Sequence, residues 1–518
     1  MKNLKPHFGH HGAVILAAIL ALSSSAALAV PIVNIADDGS GDFFTISAAA
    51  LAAVDDGGEI RIIKTGTYAG NVTLVSGKSY TIKATVPGVI YGSGSSAWTV
   101  SASGGPPSNL NVTLDGFEIR RSTGTGQAMT INQSATFTQT LTLTNMIIRH
   151  TGTVIGTDGG EALKFDIGVT GGAAVNLIAT TSVFQSNLGA TGGKSAIRVQ
   201  GNGAGGNFDN LTVNLTNCLI NCFSEGAIRL DSAVTTVPGL TGNTWTLTGC
   251  TINSGIDRGF EVDDPTTSCT FNFTDTTITN TGTGSASEAI LANDPGDNNT
   301  WNVRRCTFDN QFSTTQGTVR IDYNNGTSGT NNAVSIYNSV FKFNAAGATN
   351  AVRAIDLDFV GTGTAPVAAL HHNTFVGIGT PTASRGISAA NSGAYELSNN
   401  LFLNVPDPWA GTTGTKTNNY TIGPTDETSG GTYLAATDLS DAISSGKGNL
   451  DATTYVPFTT PSLSPVINAG DLAIATVVGN VDRNNATRPA GAGANPDVGA
   501  FEVSEPAAAV ADWLSIGE

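Results

Sequence analysis

A phrase of small, apolar, variable, apolar and polar residues returns about every 32 positions along this chain. It reads Ala162-Leu163-Lys164-Phe165-Asp166, Ala196-Ile197-Arg198-Val199-Gln200 and Ala227-Ile228-Arg229-Leu230-Asp231. It continues at Gly259-Phe260-Glu261-Val262-Asp263, Ala289 to Asn293, Thr318 to Asp322 and Ala354 to Asp358, with weaker copies at Ala128 to Asn132 and Gly386 to Ala390. A second series of apolar anchors runs in step: Ile119, Ile148, Phe184, Ile220, Ile252, Ile278, Phe308, Phe341, Phe375 and Phe402, with gaps of 26 to 36 residues. Before each anchor lies a stretch that alternates at period two, such as Leu141-Thr142-Leu143-Thr144. That period points one side chain inward and the next to solvent. Gly, Asn, Thr and Ser fill the gaps, as turns require.

Two or three short strands per repeat of about 31 residues predict an all-β solenoid, a right-handed parallel β-helix. One coil cannot bury its own apolar side chains, so stacking must build the core, with neighbouring strands roughly 4.8 Å apart. Gly58 to Ile63 and Tyr80 to Ile82 add coils upstream, giving roughly eleven to thirteen. The helix is expected over 30–405, including an N-terminal cap. Periodicity then fails among Pro406, Pro408 and Pro424, so 406–449 reads as an irregular bridge. Residues 450–503 read as a C-terminal cap and 504–518 as a tail.

Within the repeating phrase the two apolar residues point inward and the alternate positions outward. One outward column is Thr130, Lys164, Arg198, Arg229, Glu261, Leu291, Arg320, Asp356 and Ser388. Its neighbour is Asn132, Asp166, Gln200, Asp231, Asp263, Asn293, Asp322, Asp358 and Ala390. A long flat strip of ordered charge suits an extended polymer, which makes Lys164, Asp166, Arg198, Glu261, Arg320, Asp322, Asp356 and Asp358 candidate substrate-binding residues. Asp231 and Asp263 fall on adjacent coils. Two carboxylates so close require a shared proton or a cation between them. The shared proton suits a glycosidase pair. A shared Ca²⁺ suits a polyuronate lyase, with Arg229 or Arg198 as base. Asp231, Asp263 and Arg229 are therefore the candidate catalytic set, and Asp231 with Asp263 the candidate calcium ligands. Alternatively, Arg and Asp along the strip satisfy each other as cross-strand pairs and keep the face soluble.

Composition narrows the partners. The formal net charge is −16, and removing a leader that holds Lys2 and Lys5 and no acid leaves −18. Such a surface repels nucleic acid. Residues 1–29 have a basic start, an apolar run from Ala13 to Leu22 and a small-residue site ending at Ala29, the pattern of a cleavable export signal. No later stretch is long and apolar enough to span a bilayer. The expected setting is secreted or cell-surface, with a polysaccharide or cell-envelope glycan as partner. Trp98, Trp245, Trp301 and Trp409 are candidate sugar platforms, although Trp245 and Trp301 precede alternating strands and fit the core as well. Cys218, Cys250 and Cys306 each sit two before an anchor and share one inward column, with Thr276 in the intervening coil. Buried there, Cys acts as a small hydrophobe; a Cys218–Cys250 bond is the alternative. His371 and His372 fit a turn or ladder position better than a metal pair.

Two segments resemble known families. Ala36-Asp37-Asp38-Gly39-Ser40-Gly41-Asp42-Phe43-Phe44-Thr45-Ile46 resembles the opening of pectin methylesterases and other pectin-active β-helix proteins of the pectin-lyase-like fold. There this segment caps the N-terminal end, and Ile46 to Val54 is Ala-rich and amphipathic enough for a capping helix. The esterase's catalytic strands have no counterpart here. Leu463-Ser464-Pro465-Val466-Ile467-Asn468-Ala469-Gly470-Asp471, followed by Asp482-Arg483, Arg488-Pro489 and Asn495-Pro496-Asp497-Val498-Gly499-Ala500-Phe501-Glu502, is similar to the C-terminal region of secreted bacterial β-helix proteins named for a choice of anchor. That resemblance implies an extracellular or cell-surface location. The leading expectation is a structural or carbohydrate-binding protein without catalysis. The alternatives are a polysaccharide lyase or glycosidase on the outer face, and adhesion by self-association.

Overall fold

The computed structural model describes residues 32–503 except 76–77, 93–96, 102–108, 125, 133–136, 153–159, 168–172, 187–193, 202–207, 223–224, 232–239, 256, 264–265, 281–287, 294–295, 311–316, 323–330, 345–352, 359–366, 379–384, 391–394, 411–413, 425–430, 460–463, 478–480 and 489–494. The signal-like leader and the tail therefore lie outside the described residues.

Each coil contributes one strand to each of three parallel sheets, of 14, 14 and 12 strands. In the first complete coil these strands are Gly58–Ile62, Gly66–Tyr68 and Val72–Val75, which define the first, second and third sheets. Among the described residues twelve coils carry a strand in all three sheets, within the expected range, and the chain forms a right-handed parallel β-helix. The strands continue past 405: Asp407–Ala410, Thr415–Thr417, Asn419–Gly423 and Gly431–Ala435 extend the three sheets through the span read as a bridge. Prolines and glycines alter the loops there without interrupting strand pairing. A fourth sheet of three two-residue strands (Phe208–Asp209, Leu240–Thr241, Thr266–Thr267) lies between the third and first sheets along the chain.

All ten predicted anchors stack in one register column of the second sheet, from Ile119 to Phe402. The last four are phenylalanines whose rings stack 4.7, 5.0 and 4.7 Å apart. Offset stacking of this kind adds to the area each ring buries. Trp98, Trp245 and Trp301 belong to the same core, at 1% exposure or less, so they are packing residues and not sugar platforms. Trp409 is 6% exposed and meets Phe402 edge-on. Phe260 packs among Trp245, Phe271, Phe273 and Trp301.

A two-residue turn joins the first sheet to the second in successive coils. Its leading residue is left-handed: Asn145, Thr181, Asn217, Gly249, Asp275, Arg305, Asn338, His372, Asn399 and Asn418. The predominance of Asn follows from its tolerance of positive φ. At Gly249 a Cβ would stand 2.3 Å from Asn217 Oδ1, so that amide would have to shift. The following residue faces inward; Ser182, Cys306 and Ser339 donate to a carbonyl of their own coil, and in six other coils it donates to a carbonyl of the preceding one. Cys218 serves Ala179, Cys250 Leu215, Thr276 Leu247, Asn373 Ile336, Asn400 Leu370 and Asn419 Leu397. The cysteines thus hold the inward column expected of them, as buried free thiols. His372 is the turn residue of its coil; its Nδ1 bonds Asp497 O at 3.1 Å and its Nε2 lies 2.9 Å from Asn399 Nδ2. Neither nitrogen is left for a metal.

The Ala48–Ala53 helix, N-capped by Ser47, buries Ala50 and Leu51 against the start of the solenoid core. The C-terminal region does more than close an end. From Ala436 to Phe501 it forms a second apolar cluster with Val340, Val376, Leu401, Leu403 and Ile422, which face outward from the second sheet. The relevant outward column runs Arg149, Gln185, Asn221, Asn253, Thr279, Asp309, Lys342, then Val376, Leu403 and Ile422. It turns apolar where the C-terminal region covers it.

Phe260→Ala is expected to cost about 3–5 kcal/mol, the range for emptying a buried aromatic site. Thr279→Ala, on the outer face of the neighbouring coil, should stay within about 0.5 kcal/mol. Urea titrations followed by tryptophan fluorescence measure both.

Candidate functional site

The third-sheet strands position the charged strip in the register expected. Thr130, Lys164, Arg198, Arg229, Glu261, Leu291, Arg320, Asp356 and Ser388 pair in one column. Asp166, Gln200 and Asp231 pair in the next, and the Asp263 N–H donates to Leu230 O, which continues the order. Asp322 and Asp358 are register partners through their backbones, and their side chains lie outside the described residues.

The strip is not an open row of charges. Arg198 and Asp231 are each 7% exposed, Asp356 2% and Glu261 1%. Charges so buried must be paired. Arg198 Nη1 lies 3.2 Å from Glu161 Oε1 and Nη2 2.8 Å from Asp231 Oδ2. Arg229 Nε lies 3.1 Å from Asp231 Oδ2 and Nη2 2.8 Å from Asp263 Oδ2. Arg258 pairs with Glu261 and, at 3.1 Å, with Glu288; Arg320 stands 3.6 Å from Glu288. Lys194 holds Glu225 at 2.8 Å. Arg353 pairs with Asp356, and Lys164 approaches Asp166 at 3.9 Å.

A guanidinium therefore stands between Asp231 and Asp263, where the sequence led us to expect a proton or a calcium ion. Burial alone would lower the Arg229 pKa, but Glu261, Asp231, Asp263 and Glu225 outweigh it and hold the group firmly charged. Arg198 is likewise raised: burial opposes its charge, and Asp231 and Glu161 overcome that. Neither guanidinium is set up to accept a proton as a base. Among the described residues no group of three or more His, Cys, Asp or Glu is arranged to hold a metal ion.

The carboxyl with the more unusual environment is Glu261. Burial pushes it up to about 7, against the pull of Arg258 and Arg229. Its Oε2 lies against Gly226, where a Cβ would come within 2.8 Å. Sequence reasoning missed six members of this network. Glu161, Arg258, Glu288 and Arg353 stand one position before the small residue that opens the repeating phrase, and Lys194 and Glu225 two before it. Their recurrence at that position was a usable signal.

The second motif-rich segment is structural. The Asp497 carboxylate accepts from the Asn468 and Val503 N–H groups, while its own N–H donates to Glu502. Arg488 is fully buried, paired with Glu502 at 3.1 Å and donating to the carbonyls of Asp497 and Gly499. Gly499, at φ +96°, brings the segment so close to the second sheet that a Cβ would meet Thr374 Oγ1 at 2.8 Å.

Neither a protein-family model nor a curated protein matches the chain. Among solved structures, the pectate lyase Pel9A is similar at 14% identity and a TM-score of 0.30, over 92% of this chain and 98% of that one.

Arg229→Met should remove the charge that Asp231, Asp263 and Glu261 share. The expected loss is at or below the about 3–5 kcal/mol typical of breaking a buried pair, since Arg229 keeps some solvent contact. Asp166→Asn should be near neutral; thermal melts compare the two. Glu261 binds its proton more tightly folded than unfolded, so stability falls as pH rises from about 4.5 to about 7. Glu261→Gln should remove that component, so the variant's melting temperature should gain on the parent's across this window.

Proposed function

We propose that this chain is an exported, extracellular or cell-surface β-helix protein without catalysis, structural or carbohydrate-binding, whose charged strip serves the scaffold. The observation that carries this reading is Arg229 seated between Asp231 and Asp263. Carboxylates already neutralised by an internal guanidinium serve stability and register first. The leader-like residues 1–29 and the C-terminal segment similar to anchor-type regions support export. No helix among the described residues is long and apolar enough to cross a membrane.

A second reading, a polysaccharide lyase or glycosidase, draws on Glu261. A carboxyl that stays protonated up to about pH 7 has the property of a general acid. Asp263 would be its neighbour in any such site.

The two readings separate in one screen of the mature protein against neutral glycans and polyuronates, with and without Ca²⁺, for binding and for new reducing or unsaturated ends. The expected outcome is no new ends under any condition, with weak or no binding along the ladder. New ends that vanish in Glu261→Gln or Asp263→Ala, at unchanged melting temperature, would replace the scaffold with an enzyme. Assembly that rises with concentration and ignores glycan would instead mark adhesion by self-association.

A further inference from the structure

A cleft of about 300 Å³ opens between the outer face of the second sheet and the C-terminal region, away from the charged ladder on the third sheet. Thr307 and Lys342 line it from neighbouring strands, and Tyr455, Arg483 and Asn484 from the C-terminal side. Arg483 donates to Thr307 Oγ1 at 3.0 Å, and its other terminal nitrogen is 3.8 Å from Asp275. Both Asp275 oxygens are already held by Arg305 at 2.8 Å. Lys342 has Asp309 at 3.8 Å and stands 5.7 Å from the centre of the Tyr455 ring. Arg483 and Lys342 thus line the cleft with their paired carboxylates 3.8 Å away, while Asp482 and Asp451, the other acids near it, are held by backbone N–H groups.

Tyr455 adds an independent sign of a built site. Its φ is +61°, a left-handed conformation that an aromatic residue adopts only under constraint. The phenol ring packs in the second apolar cluster, 6% exposed, with Lys342 over it. A cation pair, an aromatic wall, a hydroxyl and an amide are the groups that orient a polar ring bearing one negative charge.

We propose that this cleft binds a sugar-sized molecule carrying one oxyanion, a carboxylate or a sulfate ester, with Arg483 and Lys342 gripping the anion and Tyr455 flanking the ring. Burial depresses the Arg483 guanidinium, which an incoming anion would relieve. The site lies on a different sheet from the ladder, so its failure leaves the scaffold reading standing.

The test is calorimetric titration of the full mature chain with glucuronate, glucose 6-sulfate and glucose at low salt. The expected result is binding of one or both charged sugars at least tenfold tighter than glucose. Lys342→Gln, a change on a strand surface, should weaken it about tenfold at an unchanged melting temperature, and Arg483→Gln should weaken it further. Preference for the carboxylate or for the sulfate identifies which oxyanion the cleft takes. Equal affinity for glucose and the charged sugars, no binding of either charged sugar, or binding that Lys342→Gln leaves intact would overturn the proposal.

Discussion

In-register hydrogen bonding between successive coils is the constraint on which everything else in this molecule depends. Each strand must meet its neighbours in parallel at one fixed offset, because a slip of one residue would turn the core outward. The offset is set at the two-residue turn between the first and second sheets. There a left-handed residue bends the chain, and in six coils the next side chain ties back to the coil before it. Asn, Cys and Thr look unrelated on paper and make the same tie at these positions. Once that turn is fixed, the ten anchors align and the aromatic stack follows.

The same register imposes the charge network. Every coil adds one side chain to each outward column, so like charges are brought close unless something intervenes. Arg229 reaches two coils' carboxylates at once, and Arg258 links Glu261 to Glu288. The network is continuous from Glu161 to Arg320 because each guanidinium spans more than one strand spacing. Its price is Glu261, a carboxyl too deeply buried to ionise in the usual range.

Period-two alternation and repeat length made the fold legible, and the anchor and phrase columns were readable residue by residue. The position of the C-terminal region was not. Its motifs marked it as distinct, but no local rule ties Asp497 to His372 or Gly499 to Thr374, contacts more than a hundred residues apart in sequence. A trace was present in Val376 and Leu403, which occupy places held by polar residues in earlier coils. The end of the solenoid was misplaced for a related reason. Loops of changing length erase a repeat period while leaving the pairing itself intact, as Thr415–Thr417 and Asn419–Gly423 demonstrate. Burial of the ladder escaped notice because the residues that pair with it lie just outside the repeating phrase.

That apolar patch on the last coils also dictates an order of events. Val340, Val376, Leu401 and Leu403 emerge before the segment that shields them, since Val466, Val498 and Phe501 lie later in the chain. Earlier coils can stack as soon as two neighbours exist. The late coils instead carry an apolar flank until that segment arrives. Closure of the Arg488, Asp497 and Glu502 knot over that flank must follow the stacking of the coils it covers.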